Sequence, residues 1–465
     1  MCSLTGVYGL EAIADQVLYK GAYAQQHRGE DGVGVAMTNG TTTFCRADLG
    51  LVGDTLVRLL EEGKLTLRSD ILAAVAHTRY PTEGACTTEN TQPFSGETRH
   101  GFIAYGHNGE LTNFKSLREL FLQRGVPLHK SSDSELFLET FACASGHTLE
   151  EILGQAAVPL KGAYSIVGIT QDTLFGIRDP FGFKPLSLAR LNGGYILSSE
   201  TTAFLDVEGA EWVQDVLPGT VITINKKGVQ EHRFADAQTL KPCVFEHVYF
   251  ARPDSHIAGR NVHLARVEFG RQLYREHPTE ADVVVAVEDS GRSAAEGLAE
   301  ESGIPLRRGL IRNHYIGRTF TRPENVLRER GVNLKLSPLP EVLRDQRVLL
   351  VEDSVVRGNT ARSRVRLVRQ AGAREVHLYV SSPKIIGDCL YGIDFHKEQL
   401  RTTTMPDDNT FRSQIGVDGL HHLSLEGMYA ALARVPLDPR AHLAYQPQHF
   451  CDGCMTGVYP VPRES

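Results

Sequence analysis

Short apolar segments separated by turn residues dominate the N-terminal half of the chain, to about residue 235. Three of them are rich in β-branched and aromatic residues and predict strands: GAYSIVGI (162–169), TLFGI (173–177) and GYILSS (194–199). Two other segments, at 11–26 and 132–144, carry apolar residues three and four positions apart, which predicts helices. The pattern indicates mixed β-structure flanked by helices.

The pattern changes in the C-terminal half. The continuous apolar run ADVVVAV (281–287) is typical of a strand buried on both faces, and the helix after it should end at Gly303. The run RVLLV (347–351) repeats this arrangement with a helix that should end at Gly372, and EVHLYV supplies the next strand. Strands alternating with helices predict right-handed βαβ units and a parallel sheet.

Length and composition indicate a globular protein of several domains. At about 150 residues per domain, 465 residues suggest two to four. A composition with 41% hydrophobic and 23% charged residues excludes collagen, coiled coils and disordered chains. A polar stretch at 235–245 marks the boundary, which predicts domains at 2–235 and 236–465.

Charge and hydropathy restrict the partners. The net charge of −7 argues against nucleic acid, which requires a basic face. No apolar run approaches the ~18 residues of a membrane helix. The N-terminal segment lacks a basic start, and Glu11 and Asp15 interrupt any signal-like apolar stretch. We therefore expect a soluble, cytoplasmic protein without membrane or nucleic-acid partners.

Candidate chemistry appears where the second parallel strand should end. Glu352 and Asp353 stand at that end, and ligands of open α/β sheets bind beyond the carboxyl ends of strands. The loop 354–360 then offers backbone N–H groups and a hydroxyl at a helix N-terminus, which suits an anion. An ordinary turn with a solvated acidic pair is the plain alternative. Both features together favour a ligand with hydroxyls and a phosphate, with Mg²⁺.

The segment VLLVEDSVVRGNTAR (348–362) resembles the phosphoribosyl-pyrophosphate (PRPP) motif of type I phosphoribosyltransferases, and most closely that of the amidophosphoribosyltransferase family. Ten further segments share the resemblance in order along the chain. They are QHRGEDGVG (26–34), HTRYPTEG (77–84), ENTQPF (89–94), GHNGELTN (106–113), SSDSE (131–135), DPFGFKPLS (179–187), YFARPDS (249–255), NHYIGRTF (313–320), LKLSPL (334–339) and YGID (391–394). The resemblance implies an N-terminal-nucleophile αββα sandwich followed by a type I phosphoribosyltransferase α/β domain.

Cys2 is the candidate nucleophile of the first half. Removal of Met1 would give it a thiol and an α-amine that can act as base. A chance cysteine at a loose terminus is the alternative, but the apolar residues that follow predict a buried first strand.

The resemblance supplies partners for Cys2. It implies that glutamine is attacked at its side-chain amide, with the Asn108 side chain and the Gly109 N–H as oxyanion hole. It further implies that Arg79 pairs with the substrate carboxylate and Asp133 with its ammonium group. The other glutamine-binding candidates are Arg28 and Gly29. We expect His77 and His107 to be structural.

The resemblance also assigns the PRPP loop. Glu352 and Asp353 would contact the ribose hydroxyls and help to hold Mg²⁺, with Ser290 as a third ligand. The 5′-phosphate would lie on residues 354–360, and the candidates for its contacts are Ser354, Arg357, Gly358, Asn359 and Thr360. Arg318 and Lys335 belong to a segment that closes over the pyrophosphate in the family, which would exclude water from an oxocarbenium-like state.

Three positions depart from the family pattern. Ser3 stands where glycine usually follows the nucleophile, Glu352 replaces an aspartate, and Glu288 replaces a common proline. A side chain at position 3 could alter access to the nucleophile. These departures leave room for a divergent paralogue in another pathway.

The cysteines raise a separate question. Cys451 and Cys454 form a Cys-x-x-Cys pair, which by itself is incidental, redox-active or half of a metal site. With Cys243 and Cys389, their surroundings resemble the iron–sulfur branch of the family, in which four cysteines hold a structural [4Fe–4S] cluster. Structural Zn²⁺ is the alternative. The remaining cysteines should be buried apolar residues: Cys45, Cys86 and Cys143.

The predicted function is therefore a two-site enzyme. Glutamine would be hydrolysed in the first half, and ammonia would cross the interior to displace pyrophosphate from PRPP. The product would be 5-phosphoribosylamine, the first step of purine synthesis, in a homo-oligomer that is a tetramer by resemblance. A PRPP-binding regulator without turnover and a paralogue of different pathway context are the alternatives. Retention of Cys2, Arg79, Asn108 and Asp133 argues against the regulator.

Overall fold

A computed structural model describes residues 1–66, 69–80, 86–236, 238–313, 336–395, 397–400, 407–441, 446 and 449–464. The N-terminal half forms thirteen strands within these ranges. They are β1 Ser3–Tyr8, β2 Gly32–Thr38, β3 Thr43–Leu49, β4 Ala73–Arg79, β5 Phe94–Thr98, β6 Gly101–Leu111, β7 Gly162–Ile169, β8 Leu174–Arg178, β9 Ser187–Leu191, β10 Gly194–Ser198, β11 Glu211–Asp215, β12 Thr220–Asn225 and β13 Gly228–Arg233.

These strands form two antiparallel sheets that face each other. The first has the order β11-β9-β10-β1-β4-β2-β3 and the second β13-β12-β8-β7-β6-β5. Apolar residues of both sheets, such as Leu4, Val75 and Val167, form the core between them. All six residues of β1 are buried, as the apolar sequence after Cys2 predicted, because β1 lies centrally and is covered on both faces.

Helices cover the two outer faces. They are α1 Ala14–Ala24, α2 Val52–Glu61, α3 Phe114–Gln123, α4 Glu135–Cys143, α5 Leu149–Ala157 and α6 Thr202–Leu205. Helices α1, α2 and α6 pack on the first sheet, and α3, α4 and α5 pack on the second. The predicted αββα sandwich is confirmed.

The C-terminal half adds eight strands among the described residues. They are β14 His256–Ile257, β15 Arg260–Asn261, β16 Val283–Ala286, β17 Leu310–Arg312, β18 Leu336–Pro338, β19 Arg347–Glu352, β20 Glu375–Val380 and β21 Gly419–His422. The order β16-β19-β20-β21 gives a fully parallel sheet, whereas β17 pairs antiparallel with β18. The predicted parallel α/β domain is confirmed.

Helices cover both faces of the parallel sheet. They are α7 Val262–Glu276, α8 Arg292–Ser302, α9 Pro340–Leu343, α10 Asn359–Gln370, α11 Asp408–Ile415, α12 Leu425–Arg434 and α13 Gly453–Thr456. Helices α7, α8 and α12 pack on one face, and α9, α10 and α11 on the other. Burial on both faces explains the continuous apolar runs of β16 and β19. Gly303 and Gly372 have φ of 71° and 95° at the ends of α8 and α10, as predicted.

The two halves contact each other through the end of the chain. The Glu464 N–H donates to the Thr112 carbonyl at 3.1 Å, and its carboxylate pairs with Lys161 at 2.8 Å. Arg463 pairs with Glu110 of β6. The C-terminal segment is therefore fixed to the strand that carries the candidate oxyanion hole. In the described part of the chain, no helix has the length and apolar character needed to cross a membrane.

Candidate functional site

Cys2 lies at the start of β1, beside the end of β4. The Tyr80 N–H donates to the Cys2 sulfur at 3.5 Å, and the Cys2 carbonyl accepts from the Arg28 Nε at 3.0 Å. Met1 is buried, and desolvation lowers the pKa of its α-amine to about 4. The first residue is therefore held inside the molecule, next to Cys2.

Polar side chains from four of the matched segments line a small cleft at the Cys2 sulfur. Arg79 reaches it from the end of β4, and Asp133 reaches it from the loop before α4. The Asp133 carboxylate accepts from the Leu111 N–H at 2.9 Å, which fixes its position. The lining residues are Cys2, Arg79, Tyr80, Gln92, His107, Gly109, Ser132, Asp133 and Ser134. Four of the predicted site residues thus line one cleft.

Asn108 and Gly109 lie on β6 beside this cleft. Asn108 is fully buried, and neither polar atom of its side chain has a hydrogen-bond partner within the described residues. A buried amide without a partner is costly, which is what a site that waits for an external charge would show. Gly109 has a φ of 150°, and a Cβ there would lie 1.9 Å from the Ala163 carbonyl oxygen. Only glycine therefore fits at this position.

Hydrogen bonds support the cleft from behind. The His107 Nδ1 lies 2.9 Å from the Ser134 hydroxyl, and the Gln92 amide donates to that hydroxyl at 2.9 Å. The His107 N–H donates to the Gln92 Oε1 at 2.6 Å. His77 is buried, and desolvation lowers its pKa to about 3, so its ring is neutral. Both histidines thus sit in buried, bonded positions.

Sequence reasoning assigned no role to Tyr80, Gln92, Ser132 and Ser134, although they line the cleft. The sequence did point to these residues, because each belongs to one of the matched segments HTRYPTEG, ENTQPF or SSDSE. Their side-chain contacts could not be read from the sequence.

Arg28 and Gly29 take a different place from the one expected. Arg28 is fully buried and does not line the cleft. Its guanidinium donates to Glu200 at 2.5 Å and to Glu246 at 2.7 and 2.9 Å. A Cβ on Gly29 would lie 2.7 Å from the Arg79 carbonyl oxygen. Arg28 therefore holds the Cys2 backbone, and Gly29 allows close approach to Arg79, instead of lining the glutamine cleft.

The second candidate site lies at the carboxyl end of β19, as predicted. Glu352 and Asp353 are both buried, and Asp353 accepts from the Ser354 hydroxyl at 2.5 Å. Desolvation raises the pKa of Glu352 to about 8, against the opposing effect of the Arg364 guanidinium, with which it pairs. The acidic pair is thus built into the sheet edge and is not a solvated surface feature.

The loop after Asp353 ends in α10, which begins one residue before Thr360. Gly358 precedes the helix with a φ of 84°, and a Cβ there would lie 2.6 Å from the Phe411 ring. Arg357 pairs with Asp394 of the YGID segment at 3.6 Å. Asn359 and Thr360 therefore lie in the first helical turn, where free N–H groups favour an anion.

Ser290 lies in the turn that follows β16, the strand next to β19. The Val287 N–H donates to the Val351 carbonyl at 2.9 Å, so this turn and Glu352 share one edge of the sheet. Arg318 and Lys335 lie outside the described residues.

The acidic pair fits Mg²⁺ that is shared with a phosphorylated substrate. In the described ranges, no three His, Cys, Asp or Glu side chains are arranged as ligands of one ion. Mg²⁺ in phosphate chemistry usually takes only one or two carboxylates, and substrate oxygens and water complete its shell. Glu352 and Asp353 could hold it in that way.

The four cysteines of the candidate cluster come from three segments that the fold brings together. Cys243 and Cys451 form a parallel bridge, in which the Val244 N–H donates to the Cys451 carbonyl at 3.1 Å. The Cys454 carbonyl accepts from the Ile386 N–H at 2.8 Å. Ile386 lies three residues before Cys389 in the chain, so this bond brings the Cys389 segment to Cys454.

Burial raises the pKa of all four thiols, that of Cys243 to about 11. Sulfur donors are the ligand type of iron–sulfur clusters and of structural zinc, but in the described residues these cysteines are not arranged as ligands of one metal ion.

The other cysteines do not match the prediction of buried residues. Cys86 and Cys143 are exposed, and Cys45 is half-buried. Cys86 lies before a short 3-10 helix, and Cys143 ends α4 at the surface, so neither faces a core. Apolar character alone did not determine their burial.

Two domain families match the chain. The profile described as glutamine amidotransferase domain matches residues 77–206, and the profile described as phosphoribosyl transferase domain matches 266–409. The fold and the two sites thus define a glutamine amidotransferase joined to a phosphoribosyltransferase.

Comparison with relatives that match the whole chain identifies the family within this class. The amidophosphoribosyltransferase of Mycobacterium tuberculosis is 41% identical over 478 residues, which cover 100% of this chain and 87% of the relative. Amidophosphoribosyltransferase 1, chloroplastic, of Arabidopsis thaliana is 38% identical over 461 residues, with coverage of 99% and 78%. The chain belongs to the amidophosphoribosyltransferase family.

Solved structures agree. Glutamine PRPP amidotransferase from B. subtilis, complexed with ADP and GMP, superposes with a TM-score of 0.89 at 37% identity and covers 100% of this chain and 98% of its own. The structure titled the allosteric regulatory enzyme of purine biosynthesis gives a TM-score of 0.90 at 37% identity, with coverage of 100% and 97%. The two-domain architecture is therefore that of the family.

Proposed function

We propose that this chain forms 5-phosphoribosylamine from glutamine and PRPP, with release of glutamate and pyrophosphate, at the start of purine synthesis. The observation that carries the proposal is the presence of both candidate half-sites in one chain. The Cys2 cleft holds a thiol, an arginine and a carboxylate beside the Asn108 amide, which has no hydrogen-bond partner among the described residues. The edge of the parallel sheet holds an acidic pair beside a helix N-terminus.

In the first half-reaction, once Met1 has been removed, the α-amine of Cys2 accepts the proton of its own thiol, and the thiolate attacks the side-chain carbonyl of glutamine. The Asn108 amide and the Gly109 N–H receive the developing oxyanion. Arg79 and Asp133 bind the carboxylate and the ammonium group of glutamine, which fixes its side chain toward the sulfur. Ammonia leaves, and water hydrolyses the thioester to glutamate.

In the second half-reaction, ammonia attacks the anomeric carbon of PRPP and pyrophosphate departs. Glu352 and Asp353 bind the ribose hydroxyls, and the loop from Ser354 through Arg357 to Thr360 binds the 5′-phosphate. Mg²⁺, when bound, neutralises the pyrophosphate leaving group, and the acidic pair with Ser290 would hold it. Arg318 and Lys335 would close over the pyrophosphate.

Further features of the proposal come from the sequence. The glutaminase would occupy 2–235 and the transferase 236–465. The cysteines Cys243, Cys389, Cys451 and Cys454 would hold a [4Fe–4S] cluster, and anaerobically purified protein would then contain about four irons per chain. The proposal also includes a cytoplasmic location, which cell fractionation would test, and a homotetramer, which sedimentation would test.

The decisive experiment compares wild-type protein, Cys2→Ala and Cys86→Ala. Glutamate and pyrophosphate release are followed in parallel with PRPP and Mg²⁺, once with glutamine and once with an ammonium salt. Cys2→Ala should lose the glutamine-dependent reaction and keep the ammonia-dependent one, because only the first half-site uses the thiol. Cys86→Ala, which alters an exposed thiol, should keep both.

Other results would favour other functions. A wild-type protein that binds PRPP but releases neither product would support the regulator. Glutamate release without pyrophosphate would support a paralogue that serves another acceptor. Equal loss of both reactions in Cys2→Ala would contradict separate half-sites.

A further inference from the structure

The segment 459–464 lies against β6 beside the candidate oxyanion hole. Arg463 pairs with the carboxylate of Glu110, the residue that follows Gly109 in the chain. Glu110 is buried, whereas Arg463 is exposed. Arg463 belongs to the transferase half, and Gly109 carries a proposed oxyanion donor of the glutaminase half. One ion pair therefore connects the two halves a single residue away from that donor.

Glu464 makes a second attachment, at the end of the same strand. Its N–H donates to the Thr112 carbonyl at 3.1 Å. Its carboxylate accepts from the Lys161 ammonium at 2.8 Å and from the Ser116 hydroxyl at 2.5 Å. Thr112 and Lys161 are themselves joined, since the Thr112 N–H donates to the Lys161 carbonyl at 2.9 Å. The 459–464 segment thus holds the point at which β6 leaves its pairing with β7.

A third contact reaches Gly109 through the YGID segment. The Tyr391 hydroxyl accepts from the Val461 N–H and donates to the Val461 carbonyl, both at 2.9 Å. The next residue, Gly392, has a φ of 97°, and a Cβ there would lie 3.0 Å from the carbonyl oxygen of Gly109. The backbone at Gly392 therefore packs directly on the Gly109 peptide group, and Val461 holds the neighbouring tyrosine.

These attachments act on local geometry more than on global stability. The pairs of Arg463 and Glu464 involve exposed side chains, and exposed ion pairs stabilise a fold only weakly. An oxyanion donor is more demanding, because it must lie at hydrogen-bond distance from the atom on which charge develops. A displacement of about 1 Å at a reacting group can cost about 10²-fold in rate. A weak contact one residue from the donor can therefore matter for catalysis.

We propose that the 459–464 segment positions the oxyanion hole of the glutaminase, and that Arg463 is a positioning residue which acts through Glu110. The inference rests on the proposed function, because it requires that the Gly109 N–H stabilises an oxyanion. Arg463 does not line the Cys2 cleft, so its contribution is to hold β6 in place at Gly109. The transferase half thus completes the glutaminase site of its own chain.

The inference predicts a specific kinetic change. Arg463→Ala should lower the kcat for glutamine hydrolysis and leave the KM for glutamine unchanged, because the oxyanion forms only in the transition state, whereas Arg79 and Asp133 bind the substrate. The expected loss is roughly tenfold, less than the loss of about 10²–10³-fold for a missing donor, because the donor is displaced and not removed. Arg463→Lys should restore most of the kcat, since it returns a cation to Glu110.

The experiment uses the full chain with PRPP and Mg²⁺ present. It compares wild type, Arg463→Ala, Arg463→Lys, Glu110→Gln, the double variant Arg463→Ala/Glu110→Gln and the control Arg190→Ala. Arg190 pairs with Glu211 at the surface of the other sheet of the glutaminase half, so its variant removes an exposed arginine away from β6.

Three quantities are measured on the same preparations: kcat and KM for glutamine, ammonia-dependent pyrophosphate release and the free energy of unfolding. Arg463→Ala and Glu110→Gln should lose kcat alike, and the double variant should lose no more than either, because all three break one pair. The ammonia-dependent reaction does not use the oxyanion hole and should stay unchanged in every variant. Arg190→Ala should behave like wild type. If Arg463→Ala does not fold, Glu110→Gln provides the same test.

The results separate this inference from the proposed function. A lower kcat at unchanged KM, shared by the single variants and not increased in the double variant, supports the inference. A wild-type kcat in all variants overturns it while the proposed function stands. A raised KM at unchanged kcat, an equal loss of the ammonia-dependent reaction, or a loss of unfolding free energy alone assigns the segment another role and also overturns it. A wild-type protein that hydrolyses no glutamine overturns the proposed function, and the inference with it.

Discussion

At the scale of single residues, Asn108 is the clearest mark of catalysis. Most buried polar groups in folded proteins are hydrogen bonded, yet both polar atoms of its side chain lack a partner in the described residues. No hydrogen bond from the described part of the fold explains an asparagine at this position. The proposed oxyanion would supply the missing partner for its N–H group.

Replacement of Asn108 by Ala should therefore separate catalysis from stability. The kcat for glutamine hydrolysis should fall by about 10²–10³-fold, because one oxyanion donor is lost. The free energy of unfolding should change little, since no internal hydrogen bond is broken. Steady-state kinetics and denaturant titration of the same preparations measure the two effects.

Asn113 provides a matched control for that prediction. Its amide donates to the Pro159 carbonyl at 2.9 Å and its Oδ1 accepts from the Lys161 N–H at 3.0 Å. Asn113→Ala should therefore lower the stability and leave the turnover of the folded fraction intact. If Asn108→Ala instead loses stability with normal turnover, Asn108 is structural and the oxyanion assignment is wrong.

Ser3 shows how a departure from the family pattern is accommodated. Its hydroxyl lies 2.6 Å from the Thr78 hydroxyl, across the paired strands β1 and β4, and it does not line the Cys2 cleft. The side chain thus points to a neighbouring strand and leaves the cleft clear. The departure is compatible with glutaminase activity.

At the scale of elements, β6 carries the sharpest steric constraint. It pairs with β7 along eight positions, and Gly109 lies opposite Tyr164 in that ladder. The positive φ and the 1.9 Å approach of a Cβ to the Ala163 carbonyl oxygen leave no room for a side chain at this position. A glycine is required by two independent causes, backbone conformation and space.

Gly109→Ala should consequently abolish glutamine hydrolysis and lower the thermal midpoint, because the strand must move away from β7. Gly101, at the start of the same strand, has a φ of 91° and no atom within 4 Å of a Cβ. Gly101→Ala should cost only about 1 kcal/mol from the backbone conformation and keep activity. Similar effects of both substitutions would show that the close approach to Ala163 is unimportant.

At the scale of the whole molecule, the two halves are joined by buried charges and close backbone contacts. Arg28 bonds to the Cys2 carbonyl, to Glu200 in its own half and to Glu246 in the other half. In addition, a Cβ on Gly392 of the YGID segment would lie 3.0 Å from the Gly109 carbonyl oxygen. Both half-sites thus share structural supports.

Glu200→Gln should change the acid stability of the whole chain. Burial alone would raise the pKa of Glu200, but the charges of His27 and Arg28 hold it well below its usual range. The folded state then binds fewer protons than the unfolded state, so this stabilisation is present above about pH 4.5 and is lost as the pH falls below that value. The variant should be less stable by roughly 3 kcal/mol at neutral pH, because Arg28 loses a buried partner.

Denaturant titrations from pH 7 to pH 3 test this prediction. The Glu200→Gln curve should be flatter than that of wild type at the acidic end. Glu211→Gln, which removes an exposed pair with Arg190, should follow wild type throughout. Parallel curves for Glu200→Gln and wild type would mean that the buried ion pairs do not control acid stability.

The sequence by itself determined the two-part architecture, the first buried strand, the helix ends at Gly303 and Gly372 and the segments that build each half-site. These features follow from local patterns of apolar residues, glycines and short motifs, each of which involves residues close together in the sequence. The tertiary structure alone decided which side chains meet. Arg28 does not line the glutamine cleft and binds buried carboxylates 172 and 218 residues away in the chain. Cys86 and Cys143 lie at the surface. Lys184 lies against the cysteine segments. Contacts at such separations depend on how whole sheets and domains pack, and no local pattern encodes that packing.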